Sequence, residues 1–170
     1  DMNITRDIKH NIFREYDIRG VYPSEINEDL SYTIGKAYGT YIKKMGENLC
    51  LVGHDNRLSS ESLNDALIKG ILSTGVDVID LGLVTTPMLY YARIIKKINP
   101  GIMITASHNP KDDNGFKFSF NEVGNAKGEE IYKFRDFVLN GEFDNGNGKL
   151  YRYDIKNEYY DLFKKNLNFG

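Results

Sequence analysis

Residues 101–117 read Gly-Ile-Met-Ile-Thr-Ala-Ser-His-Asn-Pro-Lys-Asp-Asp-Asn-Gly-Phe-Lys, and the change of character inside this stretch decides the fold. Gly101 to Thr105 is a short apolar run behind a Pro-Gly pair, the length and context of a buried strand rather than a helix. Within one residue the apolar character ends, and Ser107, His108 and Asn109 bring a hydroxyl, an imidazole and an amide in succession. Pro110 disfavours the helical region for Asn109 and holds the segment open as a turn. Loops at the carboxyl ends of strands in open α/β sheets are where ligands of that fold class bind.

Working outward, the same alternation of buried strand and amphipathic helix recurs. Leu49 to Val52 and Val76 to Asp80 read as two further strands, rich in β-branched and aliphatic residues. Leu30, Ile34, Ala37, Tyr38, Tyr41 and Ile42 recur at helical spacing, with Asn27 as cap and Gly46 as stop. Ser59 or Ser60 is placed to cap a second helix carrying Leu63, Ala66, Leu67, Gly70 and Ile71, and Thr86-Pro87 opens a third through Met88, Tyr91, Ala92 and Ile95. Strand, helix, strand, helix, strand is the pattern of parallel crossover connections. Phe116 to Phe120 alternates cleanly and follows the Asp-Asp-Asn-Gly turn too closely for a crossover, so it runs antiparallel to its predecessor. Ile131, Phe134 and Val138 mark a fourth helix, residues 141–148 a Gly- and Asn-rich loop, and Asp154 the cap of a last helix with Ile155, Tyr159, Leu162 and Phe163 on one face. Residues 1–12 are polar and read as loosely held, and the segment Phe13 to Gly20 as a short extended piece entering a turn.

A chain of 170 residues is long enough for one domain with a sizeable core. Its net charge of -2 offers no general field for nucleic acid, so an anionic ligand must be caught by locally placed cations. Cys50, the single cysteine, lies in an apolar run and reads as a buried, inert thiol; an internal disulfide is excluded and a cytoplasmic location fits. No apolar run approaches the roughly 20 residues that span a bilayer, so a membrane partner is not expected.

Chemically, Ser107 and His108 are sequence neighbours whose side chains project apart, which argues against a nucleophile-base pair of hydrolase type. The plain alternative is an Asn-Pro turn with a surface serine. Asp55 and Arg57, two apart in a strand-to-helix loop, read as supports that pair with each other or with a neighbouring loop. Arg14 and Arg19 by composition alone would be solvated residues of an edge strand.

Three strings carry a family resemblance. Thr105-Ala106-Ser107-His108-Asn109-Pro110 with the following Asp113-Asn114-Gly115-Phe116-Lys117 resembles the phosphoserine loop of the α-D-phosphohexomutases. Phe13-Arg14-Glu15-Tyr16-Asp17-Ile18-Arg19-Gly20 resembles their amino-terminal motif, in the wording of the phosphomannomutase/phosphoglucomutase branch. Gly53-His54-Asp55-Asn56-Arg57-Leu58-Ser59 resembles their G-x-D-x-R-x-S segment, and the three stand in the family's order. The resemblance implies a three-layer α/β/α domain around a mixed four-stranded sheet, three strands parallel and the last antiparallel. It implies that residues 1–150 form the first, phosphoserine-bearing domain and 151–170 a linker helix leading to a second domain, with the remaining three domains of the same chain as partners.

The activity implied is interconversion of hexose 1-phosphate and 6-phosphate through a hexose 1,6-bisphosphate, with Ser107 carrying the phosphoryl group. Mg²⁺ is implied as cofactor, held by the Ser107 phosphate and by aspartates of a D-G-D-x-D-R motif that this sequence lacks. Lys117 either takes a proton or stabilises charge. His108 either assists proton transfer or donates a hydrogen bond. Arg19 and Tyr16 bind phosphate or shape the pocket. A fragment lacking the other domains would be nearly inactive alone. The alternative is a non-catalytic sugar-phosphate or protein-binding module on the same domain.

Overall fold

A computed structural model of the chain describes residues 2–122 and 124–167. Its centre is a six-stranded mixed sheet built from β1 (Ile18–Val21), β2 (Leu49–His54), β3 (Asp77–Leu83), β4 (Gly101–Ile104), β5 (Asp113–Ser119) and β6 (Leu150–Arg152), in the spatial order β1-β5-β4-β2-β3-β6. Strands β4, β2, β3 and β6 are mutually parallel, and β5 runs antiparallel to both β4 and β1. The helices are α1 (Glu28–Lys44), α2 (Ser60–Leu72), α3 (Thr86–Lys96), α4 (Glu129–Asn140) and α5 (Lys156–Leu167).

Period-two alternation along the strands sorts the core into two layers. Cys50 and Val52 of β2, Ile102 and Ile104 of β4, and Phe116 and Phe118 of β5 face the cluster shared with α1, α2 and α4. Leu51 and Met103 face the other way, against Met88, Leu89 and Ala92 of α3 and Ile155 at the entry to α5. The result is the three-layer α/β/α arrangement expected from the sequence. Tyr38 belongs wholly to packing: its buried ring meets Phe118, Phe120 and Phe134, and its hydroxyl donates to the Ser119 carbonyl. Burial pushes the Cys50 thiol well above the ordinary range, with Asp77 adding to the effect.

The sheet has six strands rather than four, for physical reasons specific to each addition. Strand β1 is only four residues long and is recruited by β5, where a Cβ on Gly115 would collide with the Ile18 carbonyl; glycine alone permits that approach. Strand β6 is only three residues long and exposed throughout, so it carries no apolar signal. Residues 1–12, expected to be loose, are anchored. Thr5 N–H donates to Thr33 Oγ1 at 2.8 Å, Arg6 donates to the carbonyls of Val138 and Gly141 at the end of α4, and Ile12 is buried. Asp113, Asn114 and Gly115, expected in a turn, already belong to β5; the turn proper ends where Asp113 N–H donates to the Pro110 carbonyl.

Helix starts also differ in detail. Ser59 occupies the cap position of α2 without bonding its backbone, because its hydroxyl accepts from Asn114 Nδ2 at 2.8 Å instead. The cap of α3 is Thr85, one residue earlier than expected, accepting from Met88 N–H.

Helices α1 and α2 touch at backbone distance. A Cβ on Gly35 would run into the Leu67 carbonyl, and one on Gly70 into the Tyr32 carbonyl. Neither obstacle is a flexible side chain, so the helices must separate to admit a methyl. Gly35→Ala is therefore expected to destabilise the fold by about 2–3 kcal/mol, as overpacking of a tight interior does, read from the urea midpoint. A second expectation concerns Cys50: it stays unlabelled by a thiol reagent in the native protein and reacts only on unfolding, so native-state labelling would contradict its burial.

Candidate active site

The parallel strands place the loops after β2 and β4 side by side, and the helices that follow β2 and precede β4 lie on opposite faces of the sheet. This is the topological switch point, where open α/β sheets bind ligands. Asp55 N–H donates to the Ile104 carbonyl, joining the two loops at their roots. Ser107 stands at the top of the β4 loop, exposed, in the left-handed conformation with φ +56°. Its own N–H donates to Thr105 Oγ1 at 3.0 Å.

The loop is fixed from the β2 side by Arg57. Its Nη1 donates to the carbonyls of Pro110 (2.6 Å) and Asp113 (3.1 Å), and its Nη2 to those of Ser107 and Asn109 (both 2.9 Å). Asp55 faces Arg57 Nε at 3.4 Å and takes the Arg57 N–H at 3.1 Å. Behind it, Asn114, fully buried, donates to the hydroxyls of Ser59 and Ser60. The support expected of Asp55 and Arg57 is thus a set of backbone contacts to a neighbouring loop.

A second brace comes from β1. Arg19 Nη1 donates to Asn109 Oδ1 at 2.8 Å, while Arg19 Nε is held by the buried Asp17 carboxylate at 2.9 Å. Asn109 in turn donates to Asp113 Oδ2. Arg19 Nη2 has no partner among the described residues and Nη1 uses one of its two hydrogens, so three of the five N–H donors of this guanidinium stay unused by the described residues.

A cleft of about 700 Å³ opens beside the loop, lined by Tyr22, Asn56, Arg57, Ser59, Ser107 and Lys111 among others. A second cavity of about 410 Å³, reaching Thr85, Thr86, Met103, Thr105 and Lys156, meets it at Asp55 and Asn56. On the cleft wall Glu28 accepts from Tyr22 and Ser62 at 2.7 and 2.6 Å. For Glu28, partial burial works upward, but the hydrogen bonds donated by Ser62 and Tyr22 outweigh it and hold the carboxyl below its usual value. The same bond to Glu28 raises the Tyr22 phenol.

The expected site residues are not all gathered in one cavity. Ser107 lines the larger cleft, whereas His108 is exposed on the loop and Tyr16 is exposed in the bend before β1. Lys117 is half-buried and in register with Met103, and it borders a narrow crevice with Leu89, Arg93 and Ser119 beneath α3. Arg19, in register with Gly115, points to the same sheet face as Lys117 two residues along β5. Arg19 therefore bridges the two groups: it shares a face with Lys117 and is bonded to the Ser107 loop. Sequence reading missed Asn109, Asp113 and Asn114 as bracing residues, since an Asn-Pro and an Asp-Asn-Gly string signal only a turn.

The described residues contain no group of three or more His, Cys, Asp or Glu side chains able to hold a metal ion. Of the carboxylates around the loop, Asp17 is engaged by Arg19, Asp55 by Arg57 and Ser60, and Asp113 by Asn109, while Asp112 lines the cleft singly. Nor is any helix among them long and apolar enough to cross a membrane.

Residues 10–144 match the family described as phosphoglucomutase/phosphomannomutase, alpha/beta/alpha domain I. The chain belongs to this family. It is the first domain of the α-D-phosphohexomutase superfamily that is matched, in its phosphomannomutase/phosphoglucomutase branch. A phosphomannomutase/phosphoglucomutase of Pseudomonas aeruginosa is 37% identical over 157 residues, 92% of this chain and 34% of the relative. A phosphomannomutase of Escherichia coli is 47% identical over 105 residues, 62% of this chain and 22% of the relative. The crystal structure of a phosphoglucomutase/phosphomannomutase family protein from Burkholderia thailandensis superposes with a TM-score of 0.83 at 33% identity, covering 91% of this chain and 35% of that one. The chain is thus matched to between about a fifth and about a third of the length of these relatives.

The left-handed backbone at position 107 leads to a stability test. An L residue there carries a cost that glycine avoids, so Ser107→Gly is expected to be more stable than Ser107→Ala by about 1 kcal/mol. Equal melting of the two variants would contradict the assigned conformation.

Proposed function

We propose that the chain is the phosphoserine domain of a phosphomannomutase/phosphoglucomutase, with Ser107 as the group that gives and regains the phosphoryl. The reading is carried by one observation: an exposed serine hydroxyl held by a fully braced loop at the switch point of the sheet, next to an arginine with donors to spare. In the forward transfer the bond from phosphorus to Ser107 Oγ breaks, and a bond forms from phosphorus to a hydroxyl oxygen of a bound hexose monophosphate. The sugar hydroxyl loses its proton to a base, for which Lys117 and His108 are the candidates, and Ser107 Oγ regains one. The hexose 1,6-bisphosphate then returns its other phosphoryl to Ser107 by the reverse step, so a 1-phosphate becomes a 6-phosphate without net consumption of phosphate.

The migrating group is doubly charged, and catalysis of such transfers rests on positioning and on neutralising that charge. Arg19 fits this role, since its planar donors suit phosphate oxygens and Asp17 fixes its orientation. Lys117 supplies a second cation on the same sheet face, and Tyr16, exposed in the bend before β1, is the candidate to shape the pocket. Mg²⁺, when bound, would supply further charge compensation at the phosphoryl oxygens. The described carboxylates offer no group of three to hold it, and this reading assigns its remaining ligands, with the residues that select mannose or glucose, to the further domains that the family resemblance implies.

The test is turnover of mannose 1-phosphate and glucose 1-phosphate by the full-length protein, with Ser107→Ala beside it. We expect both substrates to be converted by the wild type and neither by Ser107→Ala, while Lys117→Ala loses about 10²–10⁴ in kcat, the usual contribution of a general acid-base group. Undiminished turnover by Ser107→Ala would overturn the proposal.

A further inference from the structure

The phosphomutase reading leaves Arg57 without a part in the reaction, and its geometry is unusual for a residue that only buttresses a loop. A guanidinium has five N–H donors. Here four reach the carbonyls of Ser107, Asn109, Pro110 and Asp113, and the fifth faces Asp55 at 3.4 Å. With its donors occupied and its side chain only 11% exposed, Arg57 is not placed to bind phosphate itself. It acts on the loop, and the consequence for the loop can be followed bond by bond.

The peptide linking Ser107 to His108 is trans, the single cis bond among the described residues being Tyr22-Pro23. In a planar trans peptide the carbonyl and the N–H point in opposite directions. Pulling the Ser107 carbonyl onto Arg57 therefore turns the His108 N–H away from Arg57, and that N–H has no partner among the described residues. The same reasoning applies to the Pro110 carbonyl and the Lys111 N–H, which is also unpartnered. The left-handed turn at Ser107 puts the outward amide of His108 directly after the residue that carries the hydroxyl. Outward backbone N–H groups beside such a turn form an anion-binding concavity, and pre-aimed amides are effective where negative charge must be stabilised during a transfer.

We infer that Arg57 is a positioning residue for phosphoryl transfer: by drawing four loop carbonyls inward it holds Ser107 left-handed and presents the His108 amide to the transferring phosphoryl group. The inference rests on the phosphomutase reading above. Lysine cannot replace Arg57 here, because one ammonium nitrogen cannot reach four carbonyls arranged around a planar fork. Arg57 borders the open cleft, so its removal leaves a space that a free guanidinium ion can enter.

The experiment uses the full-length protein with Arg57→Ala, Arg57→Lys and Arg57→Gln, assayed as a mutase and melted by circular dichroism. In each variant that stays folded at the assay temperature, kcat is expected to fall about a hundredfold, the size of effect that misplacing a reacting group by about 1 Å produces, with KM changed less than about threefold. Low concentrations of guanidinium should restore kcat saturably in Arg57→Ala and have no such effect on Lys117→Ala. A folded Arg57→Lys or Arg57→Gln with kcat within twofold of wild type overturns the inference alone. So does a loss in Arg57→Ala that tracks only its unfolded fraction and is not rescued. A wild-type protein without mutase activity overturns the functional reading and this inference together.

Discussion

Five N–H donors of one guanidinium set against four carbonyls and a carboxylate hold the loop on which this structure's chemistry turns. A loop of polar residues at the end of a strand would ordinarily be the most mobile part of the domain. Here its carbonyls point toward the partly buried Arg57 guanidinium, and Ser107 lines the cleft. The left-handed residue costs roughly 1–2 kcal/mol wherever it is not glycine, and it persists because the neighbouring bonds leave it no alternative.

That arrangement depends in turn on the layers beneath it. Arg57 and the Ser107 loop meet because β2 and β4 are adjacent and parallel, with Asp55 bonded to Ile104 where the two loops diverge. Arg19 arrives from the other side because Gly115 lets β1 lie close against β5. The two arginines differ in how the protein occupies them. Arg57 has all five donors engaged, whereas Arg19 has two of its five engaged among the described residues. In a chain of net charge -2, the proposed anionic substrate would be met by a few fixed cations rather than by a general field.

How much of this could be read from the sequence follows from where each interaction lies. The four central strands and the helices between them were legible because burial writes a periodic apolar pattern, as in Cys50, Leu51 and Val52 or Phe116 and Phe118. Strand β1 was read only as part of an extended piece, since it is four residues long, Arg14, Glu15 and Asp17 just before it have the composition of a loop, and its pairing depends on a glycine almost a hundred residues away. Strand β6 has no buried residue to betray it. The Ser107 loop announced itself by an abrupt change from aliphatic to polar. That Asp55 and Arg57 support a neighbouring loop was legible too, but the four carbonyls that Arg57 binds were not, because every residue possesses a backbone carbonyl. Ser59 shows the same limit on a smaller scale: a serine at a helix start reads as a cap, yet the buried Asn114 claims its hydroxyl.

The central claim is that the hydroxyl at position 107 accepts and donates phosphate, and labelling tests it most directly. The full-length protein is incubated with hexose 1,6-bisphosphate carrying radioactive phosphate and Mg²⁺, digested, and its phosphopeptides are sequenced by mass spectrometry. The account predicts label on the peptide containing Ser107, chased off by unlabelled hexose monophosphate at a rate that keeps pace with turnover. Label on a different residue, or none at Ser107 in a protein that converts its substrates, would contradict it.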